Sequence, residues 1–385
     1  MVFKMIDEQL IKPVTPIAPL GIIAHESAEN LGHKIDKHLR TWYQDDPDPR
    51  NNRSTFLMNA SCARFSTGDG KAIIYETVRG YDLYLIVDVG NYSRRYKLFG
   101  QEVPMSPDDN FQDLKRIISA AGGKATRLNV IMPILYGGRQ HRRNYRESLD
   151  CSMALLELER MGVKNLITFD AHDSRVQNAI PLMGFDNVFP TYQVLKALTR
   201  NIDDMRIDKD NMMVVSPDEG AISRNLYYSS VMGLELGMFY KRRDYSVIVD
   251  GRNPIVAHEY LGSDVNGKDI FITDDVIATG ESVLDLAVEL KKRKANRIFI
   301  AATYALFTCG IEEYQRAYEE GIITRVLSTN LTYQSESLLN APWYISVDMS
   351  KYLAYLITAL NTNSSITTLL DPHEKISKLL DQYNS

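Results

Sequence analysis

Cysteine is scarce. The chain holds three, Cys62, Cys151 and Cys309, widely spaced and without a Cys-x-x-Cys pair. That argues against a disulfide framework or a structural zinc site and points to a reducing compartment. No stretch of about 18 apolar residues occurs, so no membrane-spanning helix is expected. The first residues carry Asp7, Glu8 and two prolines, with no basic run leading into an apolar one. No secretory signal is expected there, and a cytoplasmic location is the natural reading. Positive charge is not in excess. A formal charge of -5 and an isoelectric point near 5.9 argue against bulk electrostatic binding to nucleic acid or to an anionic membrane surface. Short-period repeats and low-complexity tracts are also missing.

What is present suits a globular α/β protein. The 385 residues exceed one ordinary core and fit two domains of about 100–200 residues each. From about Leu83 a pattern recurs: a short apolar run, a Gly- or Asp-rich turn, then a helical stretch. The runs are Leu83–Val89, Leu128–Ile134, Asn165–Phe169, Met212–Ser216, Ile270–Thr273 and Arg297–Ala302. Each is nearly continuous rather than alternating, as in parallel strands buried on both faces. Val283, Leu286, Ala287 and Leu290 follow one of them at helical spacing, and Ser152–Met161 reads the same way. Strand–helix alternation predicts mainly parallel central sheets built from right-handed crossovers. Gln44–Arg53 and Gly90–Asn110 read as exposed loops.

The sharpest chemical signal is Asp274-Asp275-Val276-Ile277-Ala278-Thr279-Gly280-Glu281-Ser282, between an apolar strand and a helix. Ligands bind at such carboxyl ends of parallel strands. The turn offers backbone N–H groups and two hydroxyls beside a helix N-terminus, a phosphate cradle. Asp274 and Asp275 suit ribose hydroxyls, or magnesium through water. The bland alternative is an acidic turn with Ser282 as a helix cap.

Three further segments carry chemistry. In Met132–Asn144, Arg139 offers a planar fork for nucleotide phosphates or for stacking on adenine, and Gln140 offers its amide. By itself that segment reads equally as a solvated basic loop or a small nucleic-acid patch. In Leu166–Gln177, Asp170 ends an apolar run and suits magnesium. His172 is a poor magnesium ligand and suits a bound water or nucleotide phosphates instead, or a purely structural hydrogen bond. In Tyr240-Lys241-Arg242-Arg243, Lys241 and Arg243 stand two apart on an extended strand and are expected on one side. There they could clamp one anionic group between them. A basic strand end at the surface is the plainer reading.

Together these segments resemble the ribose-phosphate pyrophosphokinases, over roughly Gly21 to Asp371. The nine-residue string is similar to the phosphoribosyl pyrophosphate loop of the type I phosphoribosyltransferase fold. Val214–Ala221 resembles the family's Ser-Pro-Asp stretch, and Arg64–Asp69 with Thr77–Gly80 its adenine element. The resemblance implies two duplicated phosphoribosyltransferase-type domains. One covers 1–186 and is completed by 340–385; the other covers 187–339. It implies transfer of the pyrophosphoryl group of ATP to O1 of ribose 5-phosphate, with magnesium as cofactor. It also implies no nucleic-acid or membrane partner, and homo-oligomers built from dimers, hexamers among them. ATP would meet Phe65, Thr67, Asp69, Arg139, Gln140, Asn144 and His172. Ribose 5-phosphate would meet Asp218, Asp274, Asp275, Ala278, Thr279, Gly280, Glu281 and Ser282. Metal would meet Asp170, His172 and Asp218, and Lys241 and Arg243 would be catalytic. The chain departs from the pattern at Thr67, Asp69, Asn144, Ala221 and Ala278, and by insertions at Gln44–Arg53 and Arg94–Pro104. Those departures leave a non-catalytic regulatory relative open, and the phosphate loop taken alone leaves open a phosphoribosyltransferase that consumes phosphoribosyl pyrophosphate.

Overall fold

The structure, a computed structural model, describes residues 15–44, 50, 52–143, 145–243 and 255–384, and at 241–243 and 255–258 the backbone alone. The chain divides into two compact units. The first runs to Phe189 and takes in Asn330–Tyr333 and Asp348–Asp371; the second is Pro190–Thr329, Gln334–Val347 and the chain from Pro372 on. The expected completion of the first domain by all of 340–385 therefore narrows to 348–371. The reason is local. Tyr344–Val347 is a strand of the second sheet, and the last helix, His373–Asn384, is tied to the second unit by Tyr383 donating to the Ile202 carbonyl.

In the first unit the strands are β1 (Leu20–Ala24), β2 (Ala60–Arg64), β3 (Gly70–Ile74), β4 (Asp82–Ile86), β5 (Arg95–Leu98), β6 (Gln101–Pro104), β7 (Arg127–Ile131), β8 (Asn165–Phe169) and β9 (Gly184–Val188). The central sheet runs β1-β4-β7-β8-β9, all parallel. β4 is buried at every residue, as its unbroken apolar run requires. The helix Pro107–Ala121 begins with a capping box in which Ser106 and Asp109 satisfy each other's backbone N–H, and with Pro107 at its first position. Phe111, Leu114, Ile117 and Ile118 from that helix join Leu83, Leu85 and Val130 in the core. Those four side chains contribute about 1.5–3 kcal/mol each against about 1 kcal/mol for the cap, so packing, not capping, holds the helix.

The expected loop over Gly90–Asn110 is instead a hairpin, β5–β6, followed by the start of that helix. β5 alternates between exposed and half-buried residues, β6 is exposed except at Val103, and Phe99 and Gly100 turn the hairpin with φ of 48° and 82°. Positive φ at both turn residues matches strand twist. Phe-Gly is a poor sequence signal for such a turn. Most of Gln44–Arg53 lies outside the described residues.

The second unit holds β10 (Met212–Ser216), β11 (Glu235–Arg243), β12 (Ile255–Leu261), β13 (Asp269–Ile277), β14 (Ile298–Ala305), β15 (Arg325–Thr329) and β16 (Tyr344–Val347). Their order is β12-β11-β10-β13-β14-β15-β16, parallel except for β12. Val283, Leu286, Ala287 and Leu290 of the helix Glu281–Lys292 are all buried against this sheet's core, as their spacing predicts.

Two buried carboxylates organise the first unit. Asp82 accepts from Arg127 Nε and Nη2 at 2.8 and 2.7 Å, from Asn129 Nδ2 at 2.8 Å and from Asn361 Nδ2 at 2.9 Å. It thereby joins β4, β7 and the helix Ser350–Asn361. Asp88 accepts from Thr332 Oγ1, Tyr333 N and Gly90 N, yet burial pushes its carboxyl up to about 7. Removing one partner of a buried pair strands the other charge. Arg127→Met is expected to cost about 3–5 kcal/mol, read from the denaturant midpoint of the full chain. A loss below about 1 kcal/mol would contradict the role given to this pair.

Candidate active site

In the second unit the candidate residues gather where β10, β11 and β13 end. Ser216 pairs with Met238, and Val215 with Ile272, so Asp218, residues 239–243 and Asp274 all lie past the same carboxyl edge of neighbouring parallel strands. β13 does not stop at Thr273. It continues to Ile277, pairing Asp274 with Ala302 and Val276 with Tyr304, so both aspartates sit within the strand's last stretch rather than in a turn. The turn is short, Ala278 to Gly280. Thr308 N donates to the Ala278 carbonyl, and Gly280 takes φ 94°. A Cβ at Gly280 would stand 2.4 Å from the Tyr314 ring, whose hydroxyl donates to the Gly280 carbonyl. Thr279, Glu281 and Ser282 are exposed. No side chain caps the helix that Glu281 starts, so the cap reading of Ser282 fails and its first-turn N–H groups stay available to an anion.

Asn225 was not visible in the sequence as a site residue. Fully buried, it donates to the Thr273 carbonyl at 2.8 Å and to Ser216 Oγ at 3.3 Å, and accepts from Thr273 N and Oγ1. It fastens the ends of β10 and β13 together just before Asp218 and Asp274. Asp218 accepts from Ala221 N at 3.1 Å. Arg224, also unforeseen, lies 3.5 Å from Asp274. Burial and the neighbouring Asp275 nevertheless push the Asp274 carboxyl upward. Lys241 and Arg243 stand on β11 opposite His258 and Ile255, and the ladder shifts register between Arg242 and Arg243. Which side their side chains take lies outside the described residues.

In the first unit the ends of β7 and β8 are tied. Met132 N donates to the Ile167 carbonyl, and the Pro133 carbonyl accepts from Phe169 N and Thr168 Oγ1. Asp170 follows β8, buried, with φ 44°, a conformation costly for a non-glycine residue. Arg139 and Gln140 are exposed after the tight turn at Gly137, where a Cβ would come within 2.9 Å of Cys151 N. His141 had no assigned role. Its ring lies 5.3 Å from that of His172, and its Nε2 is 3.6 Å from Asp173, whose carboxyl Arg175 pulls down to about 2. Asn144 lies outside the described residues. Phe65, Thr67 and Asp69 lie on the β2–β3 turn, outside the five-stranded sheet. Phe65 is 54% exposed, and Thr67 Oγ1 donates to Asp69. Among the described residues, the histidine, cysteine and carboxylate groups that come together as a set of three are His25, Cys62 and Asp113.

Comparison with known proteins fits this arrangement. The profile for the N-terminal domain of ribose phosphate pyrophosphokinase matches residues 20–162, and the phosphoribosyl transferase domain matches residues 186–325. The chain belongs to the ribose-phosphate pyrophosphokinase family. The pyrophosphokinase of Vibrio parahaemolyticus is 27% identical over 320 residues, 82% of this chain and 92% of the relative. That of Chlorobaculum tepidum is 24% identical over 369 residues, 95% of this chain and 99% of the relative. The crystal structure of phosphoribosylpyrophosphate synthetase from Mycobacterium smegmatis shares the fold. It has a TM-score of 0.71 at 21% identity and covers 90% of this chain and 99% of its own. Both units are thus phosphoribosyltransferase-type domains around mostly parallel sheets.

A raised carboxylate has a defined pH signature. Because the folded value of Asp274 exceeds the ordinary value of about 4, the ligand-free protein holds this group's contribution below that value. It loses the contribution as pH rises toward neutrality. Asp274→Asn is expected to raise Tm at pH 8 by a few degrees and to leave it nearly unchanged at pH 4.5. Asp88 and Asp186, whose carboxyls burial also raises, contribute to the slope that remains. A Tm lowered at pH 8 would contradict the assignment.

Proposed function

We propose that this chain is a working ribose-phosphate pyrophosphokinase, forming 5-phosphoribosyl 1-pyrophosphate and AMP from ATP and ribose 5-phosphate. The observation that carries it is the shared carboxyl edge of β10, β11 and β13, which gathers Asp218, the Lys241–Arg243 stretch and the Asp274–Ser282 stretch. The N–H groups of the uncapped turn and helix start would hold the 5-phosphate, with Thr279 and Ser282 donating hydroxyls. Asp274 and Asp275 would accept from the ribose hydroxyls, and Asp218 would flank them. Arg139, Gln140 and His172 would engage the nucleotide. Phe65, Thr67 and Asp69 would reach adenine on a neighbouring subunit in a homo-oligomer.

The O1 oxygen attacks the β-phosphorus of ATP, and the bond from that phosphorus to the α,β-bridging oxygen breaks. AMP leaves with the bridging oxygen, and the O1 proton passes to solvent. Lys241 and Arg243 would stabilise charge on the transferring group. The oxygen donors Asp170, Asp218, Asp274 and Asp275 fit magnesium, and the raised Asp274 carboxyl marks a place where a cation relieves repulsion. What the metal supplies when bound is neutralisation of phosphate charge. A cytoplasmic location belongs to the same proposal.

Purified protein given ATP, ribose 5-phosphate and magnesium is expected to yield AMP and phosphoribosyl pyrophosphate in equal amounts. Lys241→Ala should fold normally and lose about 100-fold or more in kcat. Neither product with any nucleotide donor, together with activation of a co-purified synthetase, would replace this reading with the regulatory one.

A further inference from the structure

We propose that His141 is a positioning residue for the nucleotide. It fastens the Arg139–Gln140 stretch to the turn after β8, and so sets where Arg139 and Gln140 stand relative to Asp170 and His172. The positioning role rests on the nucleotide contacts proposed for those residues; the tether itself does not.

The described residues of 132–149 form neither helix nor strand. From Arg139 to Ser148 every described side chain is exposed except that of His141, which is 12% exposed. Gln140 N donates to the Gly137 carbonyl at 2.7 Å, which closes the turn just before it. An exposed stretch spends its side chains on water. One that must present two of them in fixed places needs an anchor, and His141 is the side chain that turns inward.

What it reaches is rigid. His141 Nε2 lies 3.6 Å from Asp173 Oδ2, and its ring lies 5.3 Å from the His172 ring at 54°. Asp173 Oδ1 accepts from Arg175 N at 2.9 Å and caps the short 3₁₀ turn Ser174–Ala179, while the Arg175 guanidinium grips the same carboxylate. Asp170 N donates to the Val188 carbonyl, and Ala171 N to Asn187 Oδ1 at 2.9 Å, so this turn is clamped to β9. His141 Nδ1 is buried with no hydrogen-bond partner, so one nitrogen carries the polar contact. The side chain is engaged by the protein and acts through its neighbours in the chain, not on the ligand. Small errors matter there, because misplacing a binding group by about 1 Å costs on the order of 100-fold in rate.

The test uses the full chain. Without ligand, tryptic cleavage after Arg142 and Arg143 is expected to run about tenfold faster in His141→Ala than in wild type, with Tm within about 2 °C. With magnesium, KM for ATP should rise about tenfold while kcat and KM for ribose 5-phosphate stay within about twofold, as when binding shared by ground and transition states is lost. His141→Gln keeps a donor near the Nε2 position and should restore both readouts. His141→Phe keeps a ring beside His172 without the nitrogen and should restore neither. Equal cleavage of wild type and His141→Ala overturns the tether, whether or not the chain turns over. Faster cleavage with an unchanged KM for ATP overturns the positioning role, and rescue by Phe but not Gln reduces His141 to packing. A wild type that neither binds nor consumes ATP, beside a variant that is cut faster, defeats the catalytic reading and the positioning role with it, and upholds the tether.

Discussion

A strand covered on both faces can show polar groups to a ligand only where it ends, and that constraint orders this protein. β4, β10 and β14 are buried at every residue. Their backbone groups are spent on neighbouring strands, and their side chains on the core. Chemistry is therefore confined to the carboxyl edges. Asp170 follows β8, Asp218 follows β10, and Asp274 and Asp275 close β13. The candidate residues are few because the edge is short, and their backbone positions are fixed because the strands are.

Holding an edge open for a ligand has an energetic cost, and the structure shows where it falls. Asp274 and Asp275 are adjacent and largely buried, and Arg224 only partly offsets them. Asp170 holds a conformation that few non-glycine residues adopt. Asn225 supplies the opposing rigidity: one amide joins two strand ends through both of its polar atoms. Tyr314 does the same for the turn from behind, packed against Trp343 and Phe307 at ring distances of 5.6 and 4.9 Å. The polar edge is rigid because an apolar cluster stands under it.

Much of this was legible in the sequence, and the rest was hidden for physical reasons. The unbroken apolar runs gave away β4, β7, β8, β10 and most of β13, since burial on both faces leaves no alternation to misread. The Asp274–Ser282 string announced its chemistry because strand, turn and helix are consecutive there. The β5–β6 hairpin escaped because its turn is Phe99–Gly100, without the usual Asn or Asp. The strand character of Asp274 and Asp275 escaped because two acidic residues read as a turn, while their pairing with β14 is a long-range contact. Asn225, Arg224 and Tyr314 escaped for the same reason. Each acts on a segment about 30 to 50 residues away, and spacing along the chain carries no record of that.

The crowded aspartates at the end of β13 also tie the protein's lifetime to its supply of ligand. A ligand that binds at this edge binds the folded form and not the unfolded one, and so deepens the folded minimum by mass action. Empty molecules open more often and are exposed to proteolysis; loaded molecules are spared. The amount of protein a cell keeps would then rise and fall with the sugar phosphate it handles, without any separate device to sense it.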